Sequence, residues 1–211
     1  MRPNPHIDFM PIRPLTDELF VKLFDIYTRA VTHTCVFEVE GFVNSETIWT
    51  ETKEDHNWIC NNIIPFYNLT MNDIVDLIYT PEDIDAGIAK GRYDSDRSMW
   101  KFTNVPAWKP RSLNFTRIKH NSFVGAHTDH ECGCKINIPI VNMSSSNIHF
   151  VNSDERFWYP SPVLLNVNAL HSVDGTERIS LYTPKERVFF QLCLKQSYEF
   201  YQDIVPTPHG W

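Results

Sequence analysis

The chain of 211 residues is long enough for one domain with a substantial hydrophobic core, and we expect a single domain. Its formal charge of -7, without a dense run of lysine or arginine, argues against nucleic acid as a partner. No stretch approaches the roughly 20 apolar residues that span a bilayer, and the first residues lack the apolar segment of a secretory signal. We therefore expect a cytoplasmic protein without a membrane partner. Its five irregularly spaced cysteines are expected to be free thiols.

The first part of the chain predicts helices. Thr16 is a good N-cap, and apolar residues follow at helical spacing as far as Val31. A shorter helix is predicted over residues 72–79. Another is predicted over residues 80–91, where a threonine cap, a first-turn proline and a closing glycine frame the segment. Residues 46–64 are ambiguous, and we expect them to be helical as well.

The pattern changes near Ser98. From there, short runs rich in β-branched and aromatic residues alternate with turn-forming residues, which is typical of strands in a sandwich or barrel. We expect a mainly β protein in which N-terminal helices pack on an antiparallel double sheet. The single domain then divides into a mainly helical part (1–97), a β core (98–197) and a C-terminal tail (198–211). The predicted strands are residues 98–102, 112–118, 135–141, 147–151, 156–159, 162–170, 177–182 and 187–194.

The segment GAHTDHECGCKINIPI, residues 125–140, contains the strongest candidate site. His127 and Asp129 are two residues apart, so in extended chain their side chains lie on one face and can bind the same ion. His171 lies in a second β-rich stretch and can supply a third ligand. Two imidazoles and one carboxylate form a facial triad, which leaves three positions of an octahedral Fe(II) open. A bidentate oxo-acid can fill two of these positions and O2 the third.

Polar residues near these ligands predict an anion site. Arg178 and Ser180 lie on one face of a predicted strand, and a guanidinium beside a hydroxyl suits the distal carboxylate of a dicarboxylic cosubstrate. Lys135 and Asn137, on one face of another predicted strand, can supply further polar contacts. Arg187 is expected at a hairpin turn, and a second carboxylate-binding role for it stays open.

These motifs resemble the Fe(II)- and 2-oxoglutarate-dependent dioxygenases, and the approach FTRIKHNSFVGAHTD is most similar to the small branch of prolyl and aspartyl/asparaginyl hydroxylases. The similarity covers roughly residues 113–194. It implies a double-stranded β-helix, a form of jelly roll, flanked by N-terminal helices. It also implies hydroxylation of an amino-acid side chain, free or in a protein, with release of succinate and CO2. By this resemblance His127, Asp129 and His171 bind iron.

The resemblance further implies that Arg178 binds the C5 carboxylate of 2-oxoglutarate, assisted by Ser180. Arg178 is only seven residues after His171, whereas the basic residue of the family more often follows after about nine to eleven. Lys135 is therefore the substitute candidate for this carboxylate.

Other interpretations of the same residues remain open. One is a zinc site, although the C-x-C spacing has no second cysteine pair to complete it. A cupin-type metal protein is another, and a catalytically silent jelly-roll binding module that keeps the triad only as a structural metal site is a third. His149 is expected to be an ordinary strand residue rather than a ligand. The zinc ligands would be His127, His130, Cys132 and Cys134.

Overall fold

The structure is a computed structural model, and its described part consists mainly of two antiparallel sheets with three α-helices. Within that part, no helix is both long and apolar enough to cross a bilayer. The described residues are 6–30, 34–39, 43–48, 50, 52–75, 98–102, 112–118, 124–129, 132–142, 147–158, 161–173 and 186–208.

The larger sheet has eight strands in the order β1-β10-β7-β12-β5-β3-β2-β4, and every neighbouring pair is antiparallel. Strands from early and late parts of the sequence therefore join in one sheet. At its centre β12 pairs with β7 on one side and with β5 on the other. The strands are β1 (Phe9–Pro11), β2 (Thr34–Val39), β3 (Val43–Ile48), β4 (Ser98–Phe102), β5 (Leu113–Ile118), β7 (Cys134–Val141), β10 (Val163–Leu165) and β12 (Arg187–Leu194).

The smaller sheet has four antiparallel strands in the order β6-β11-β8-β9. Its strands come from the chain between the strands of the larger sheet, so the chain passes repeatedly from one sheet to the other. They are β6 (Val124–His127), β8 (Asn147–Phe150), β9 (Glu155–Trp158) and β11 (His171–Val173).

Among the described residues, three α-helices accompany the sheets, together with a 3-10 turn at Met71–Asp73. Both long helices begin at a threonine whose hydroxyl accepts a backbone N–H, because the first N–H groups of a helix have no partner within it. The helices are α1 (Asp17–Ala30), α2 (Lys53–Phe66) and α3 (Tyr198–Gln202).

Apolar side chains form two cores, one on each side of the larger sheet. On β12, Val188, Phe190 and Leu192 contribute to the core shared with the helices, whereas Phe189 and Cys193 contribute to the core between the two sheets. This alternation follows from the two-residue period of a strand. Residues of β12 and β7 whose side chains lie on the inter-sheet side therefore face the smaller sheet.

Most strand predictions after Ser98 are confirmed where the structure describes them, and so is the helix that begins after Thr16. The strand predicted over residues 162–170 is confirmed only for Val163–Leu165, because residues 166–170 form a turn and loop before His171. The helix predicted over residues 72–79 is wrong over its described residues: after the 3-10 turn, Ile74 is extended and bridges Leu194 of β12. Residues 46–64 divide between β3 and α2, so the expected helix begins only after Thr52. The helix of residues 80–91 and the strand of residues 177–182 lie outside the described residues.

Candidate metal centre

The smaller sheet brings the two histidines of the predicted triad together. His127 is the last residue of β6, His171 is the first residue of β11, and the two are directly opposite in the antiparallel register. Their ring centroids are 4.4 Å apart. Asp129 follows β6 by two residues, and ligand atoms of all three side chains lie within 4.8 Å of one another. Residues separated by 44 positions in the sequence thus form one cluster, as the motif predicted.

Both imidazoles are oriented by a backbone carbonyl. The Nδ1 of His127 donates to the carbonyl oxygen of Gly125 at 2.7 Å, and the Nδ1 of His171 donates to that of Ala169 at 2.9 Å. A carbonyl oxygen only accepts, so each Nδ1 carries the hydrogen and each Nε2 of the neutral ring keeps its lone pair. The two Nε2 atoms lie 3.6 and 3.8 Å from the carboxylate oxygens of Asp129. Metal-binding histidines are typically oriented in this manner.

Asp129 is held by its backbone and by Lys135. Its backbone N–H donates to the carbonyl of Val167 at 2.9 Å, and the Lys135 ammonium donates to its Oδ2 at 2.8 Å. Lys135 lies on the inter-sheet side of β7, opposite Cys193 of β12. The position of the carboxylate is therefore fixed from two directions before any ion binds.

The electrostatic environment keeps these groups in the forms that a cation requires. Burial disfavours the carboxylate of Asp129, but the charge of Lys135 outweighs burial and lowers its pKa. Burial disfavours the ammonium of Lys135, but its ionisable neighbours Cys193 and Asp129 outweigh burial and raise its pKa. Burial, followed by the nearby His127, lowers the pKa of His171, so its imidazole is neutral at neutral pH.

The donor set fits a divalent transition metal. Two imidazole nitrogens and one carboxylate oxygen match the ligand preferences of Fe(II) and related ions, and three ligands leave coordination positions open. With bonds of about 2.0–2.2 Å to nitrogen and oxygen, atoms within 4.8 Å of one another can share an ion after small side-chain movements. His171 is buried while His127 is partly exposed, so the cluster is open toward solvent on the side of His127.

Polar side chains of the larger sheet lie on the same inter-sheet side. Asn137 is on β7, two residues after Lys135, and is directly opposite Gln191 of β12. The hydroxyl of Thr116 on β5 donates to the Oε1 of Gln191 at 2.9 Å. The interior beside the cluster is therefore polar over several strands rather than uniformly apolar.

Arg187, expected as a charge at a hairpin turn, begins the predicted strand and is buried. It is the first residue of β12, directly opposite Ile118 of β5, and only 1% of its surface is exposed. Strand alternation places it on the inter-sheet side with Phe189 and Gln191. The sequence contained a usable signal, because Arg187 and Gln191 are the polar residues of an otherwise apolar strand and are four positions apart.

The remaining predicted residues have different outcomes. Arg178, Ser180 and His130 lie outside the described residues, so their predicted roles stay predictions. Cys134 is buried on the helix side of β7, on the opposite face from Lys135, and it is not part of the cluster. His149 lies within β8, where it contacts Asp154 at 2.8 Å, and it is not part of the cluster.

No protein-family model matches this sequence, and no curated protein matches it significantly.

Proposed function

We propose that the protein is a non-haem Fe(II)- and 2-oxoglutarate-dependent oxygenase that hydroxylates an amino-acid side chain, free or in a protein, on a jelly-roll scaffold. The observation that carries this proposal is the cluster of His127, Asp129 and His171, in which both Nε2 atoms lie beside one carboxylate. Two facing antiparallel sheets with the cluster between them support the scaffold.

The residues of the chain have separate tasks in this proposal. His127, Asp129 and His171 would hold the ion on three adjacent sides, and the carbonyls of Gly125 and Ala169 keep the two rings in the ligating tautomer. When bound, Fe(II) and 2-oxoglutarate supply the oxidising chemistry, in which O2 and the cosubstrate yield succinate, CO2 and a hydroxylated C–H bond. The protein provides position and a dry environment for that chemistry.

Arg187 is a second candidate for the cosubstrate carboxylate, beside the predicted Arg178, because it is a buried cation on the inter-sheet side of β12. A buried guanidinium between two sheets is a strong donor for a carboxylate, which it can bind through two parallel hydrogen bonds. Asn137, two residues after Lys135 on the same side of β7, could add a polar contact. Lys135 is already engaged by Asp129, so in this proposal it orients a metal ligand first and contacts the cosubstrate second.

The partly exposed edge of His127 gives the substrate its approach. The opposite side of the cluster is closed, since His171 packs toward Phe150 at a ring-centroid distance of 6.0 Å within the inter-sheet core. A substrate side chain that enters beside His127 would reach the metal without crossing that core. This geometry is compatible with a free amino acid and with a residue of a protein.

Anaerobic titration of the metal-free protein with Fe(II) and 2-oxoglutarate tests the proposal directly. We expect a weak visible charge-transfer band, followed in air by succinate formation at a rate that depends on Fe(II). Binding of Fe(II) without the band and without succinate would instead identify a silent metal-binding module.

Two matched variants locate the activity. His127→Ala should abolish the band and the succinate, because it removes a ligand. His149→Ala removes a histidine from the same sheet that lies outside the cluster, so it should retain both. Full turnover by His127→Ala would show that the proposed ligand set is wrong.

A further inference from the structure

Two cysteines outside the metal cluster lie close together between the sheets. Cys132 precedes β7, and Cys193 is near the end of β12. Both are buried and belong to the inter-sheet core, whereas Cys134 belongs to the core on the helix side. Among the described residues, Cys132 and Cys193 therefore share one core, whereas Cys134, two residues after Cys132, lies in the other core.

The neighbouring thiol of Cys193 and burial raise the pKa of Cys132. Backbone hydrogen bonds hold both segments: the N–H of Gly133 donates to the carbonyl of Leu194 at 2.8 Å, and the N–H of Cys193 donates to that of Ser112 at 2.9 Å. A Cβ atom on Gly133 would overlap the carbonyl of Gln196, so the segment after Cys132 lies directly against the chain that leaves β12. The backbone segments that carry the two cysteines are therefore held side by side, with both side chains in the inter-sheet core.

We propose that Cys132 and Cys193 form a reversible disulfide when the protein meets a peroxide. One thiolate attacks the O–O bond of hydrogen peroxide, which gives a sulfenic acid and hydroxide. The second thiol then displaces the hydroxyl group as water, so two thiols and one peroxide give one disulfide and two molecules of water. A thiol reductant reverses the reaction. This inference does not depend on the proposed function.

The surroundings determine the speed and the consequence of the reaction. Because the pKa of Cys132 is raised, little thiolate is present at neutral pH and oxidation should take minutes to hours. The disulfide would connect the segment after Asp129 to the central strand of the larger sheet. It would also close a long loop of the chain, which restricts the unfolded state and raises the melting temperature by roughly 5–10 °C.

The test uses the full chain, freed of metal and fully reduced, and treats it with a small excess of hydrogen peroxide at mildly alkaline pH. We expect the thiol count in denaturant to fall from the five cysteines of the sequence to three. The mass should decrease by about 2 Da, the melting temperature should rise, and dithiothreitol should reverse all three changes.

Tryptic mapping identifies the sulfur atoms. Trypsin leaves Cys132 and Cys134 in one peptide, so the Cys134→Ala variant is the matched control: it should still lose two thiols and yield the linked peptides. Cys132→Ala and Cys193→Ala should each lose none. The inference is overturned if wild-type protein keeps all its thiols, links Cys134 instead, or gains oxygen atoms without a cross-link. The wild-type map decides the matter even if a variant does not fold.

Discussion

Substitution of Lys135 by methionine tests the electrostatic arrangement of the cluster most directly. Methionine keeps much of the side-chain volume of lysine and removes its charge. The carboxylate of Asp129, which accepts from Lys135 at 2.8 Å, then remains between the sheets without its cation. We expect the metal-free variant to be destabilised and its affinity for divalent metal to increase, because the bound ion replaces the missing charge.

The magnitude follows from the exposure of the pair. Removing one partner of a fully buried ion pair costs about 3–5 kcal/mol, whereas an exposed pair contributes about 0–1 kcal/mol. The side chains of Lys135 and Asp129 are 15% and 23% exposed, nearer to the buried case. We therefore expect the free energy of unfolding to fall by about 2–4 kcal/mol without metal. A tenfold gain in metal affinity would reduce this difference by about 1.4 kcal/mol at saturating metal.

Urea unfolding of both proteins, with and without a redox-inert divalent metal, measures these values. Lys22→Met is the matched control, because Lys22 forms a 3.3 Å ion pair with Asp25 in which both side chains are about half exposed, at 44% and 51%. Its effect should stay within about 0.5 kcal/mol. The reasoning fails if Lys135→Met is as mild as this control, or if metal leaves the difference between wild type and variant unchanged.

Three further predictions concern other parts of the chain. Arg187→Met should weaken 2-oxoglutarate binding to the metal-loaded protein by at least about tenfold, measured by titration of the visible band. Arg178→Met should have the smaller effect. If Arg178→Met has the larger effect instead, Arg178 is the residue that binds the carboxylate. Asp55→Asn should lower the free energy of unfolding by about 1–2 kcal/mol at pH 7, because Asp55 is nearly buried and accepts two hydrogen bonds from the partly exposed Arg29. Burial opposes this carboxylate, but Arg29 outweighs burial and lowers its pKa. Its contribution is therefore present above pH 3.8 and is lost as the pH falls through the lower folded-state pKa; a variant difference that does not shrink as the pH falls below 3.8 would contradict this. Gly133→Ala should cost about 1–3 kcal/mol and reduce metal affinity in calorimetric titration, since its Cβ meets the carbonyl of Gln196; unchanged stability would show that this segment can move.

Two of the three candidate metal ligands could be predicted from the sequence because they lie close together in it. His127 and Asp129 are one strand period apart, and that period already places them on one face. His171 was identifiable because it lies in another β-rich stretch. The register that sets His171 opposite His127 is a tertiary property, however, and spacing alone contains no information about it.

The parts that could not be predicted depend on long-range pairing. Residues 46–48 have no strong alternation, and they become part of a strand because β5 and β2 provide backbone partners on both sides. Ile74 has a helical pattern around it, yet it bridges Leu194 at the end of β12. The burial of Arg187 is a similar case, because a charged residue after a turn sequence is usually exposed.

The central strand β12 separates two environments from one residue to the next. Residues on one side of this strand, such as Phe190, fill the core beneath the helices, while those on the other side, such as Phe189 and Gln191, face the smaller sheet. Successive codons therefore encode alternately a position in the helix-side core and a position in the interior between the sheets. A substitution at every second residue of β12 can thus alter that interior while the intervening residues keep the helices packed on the sheet.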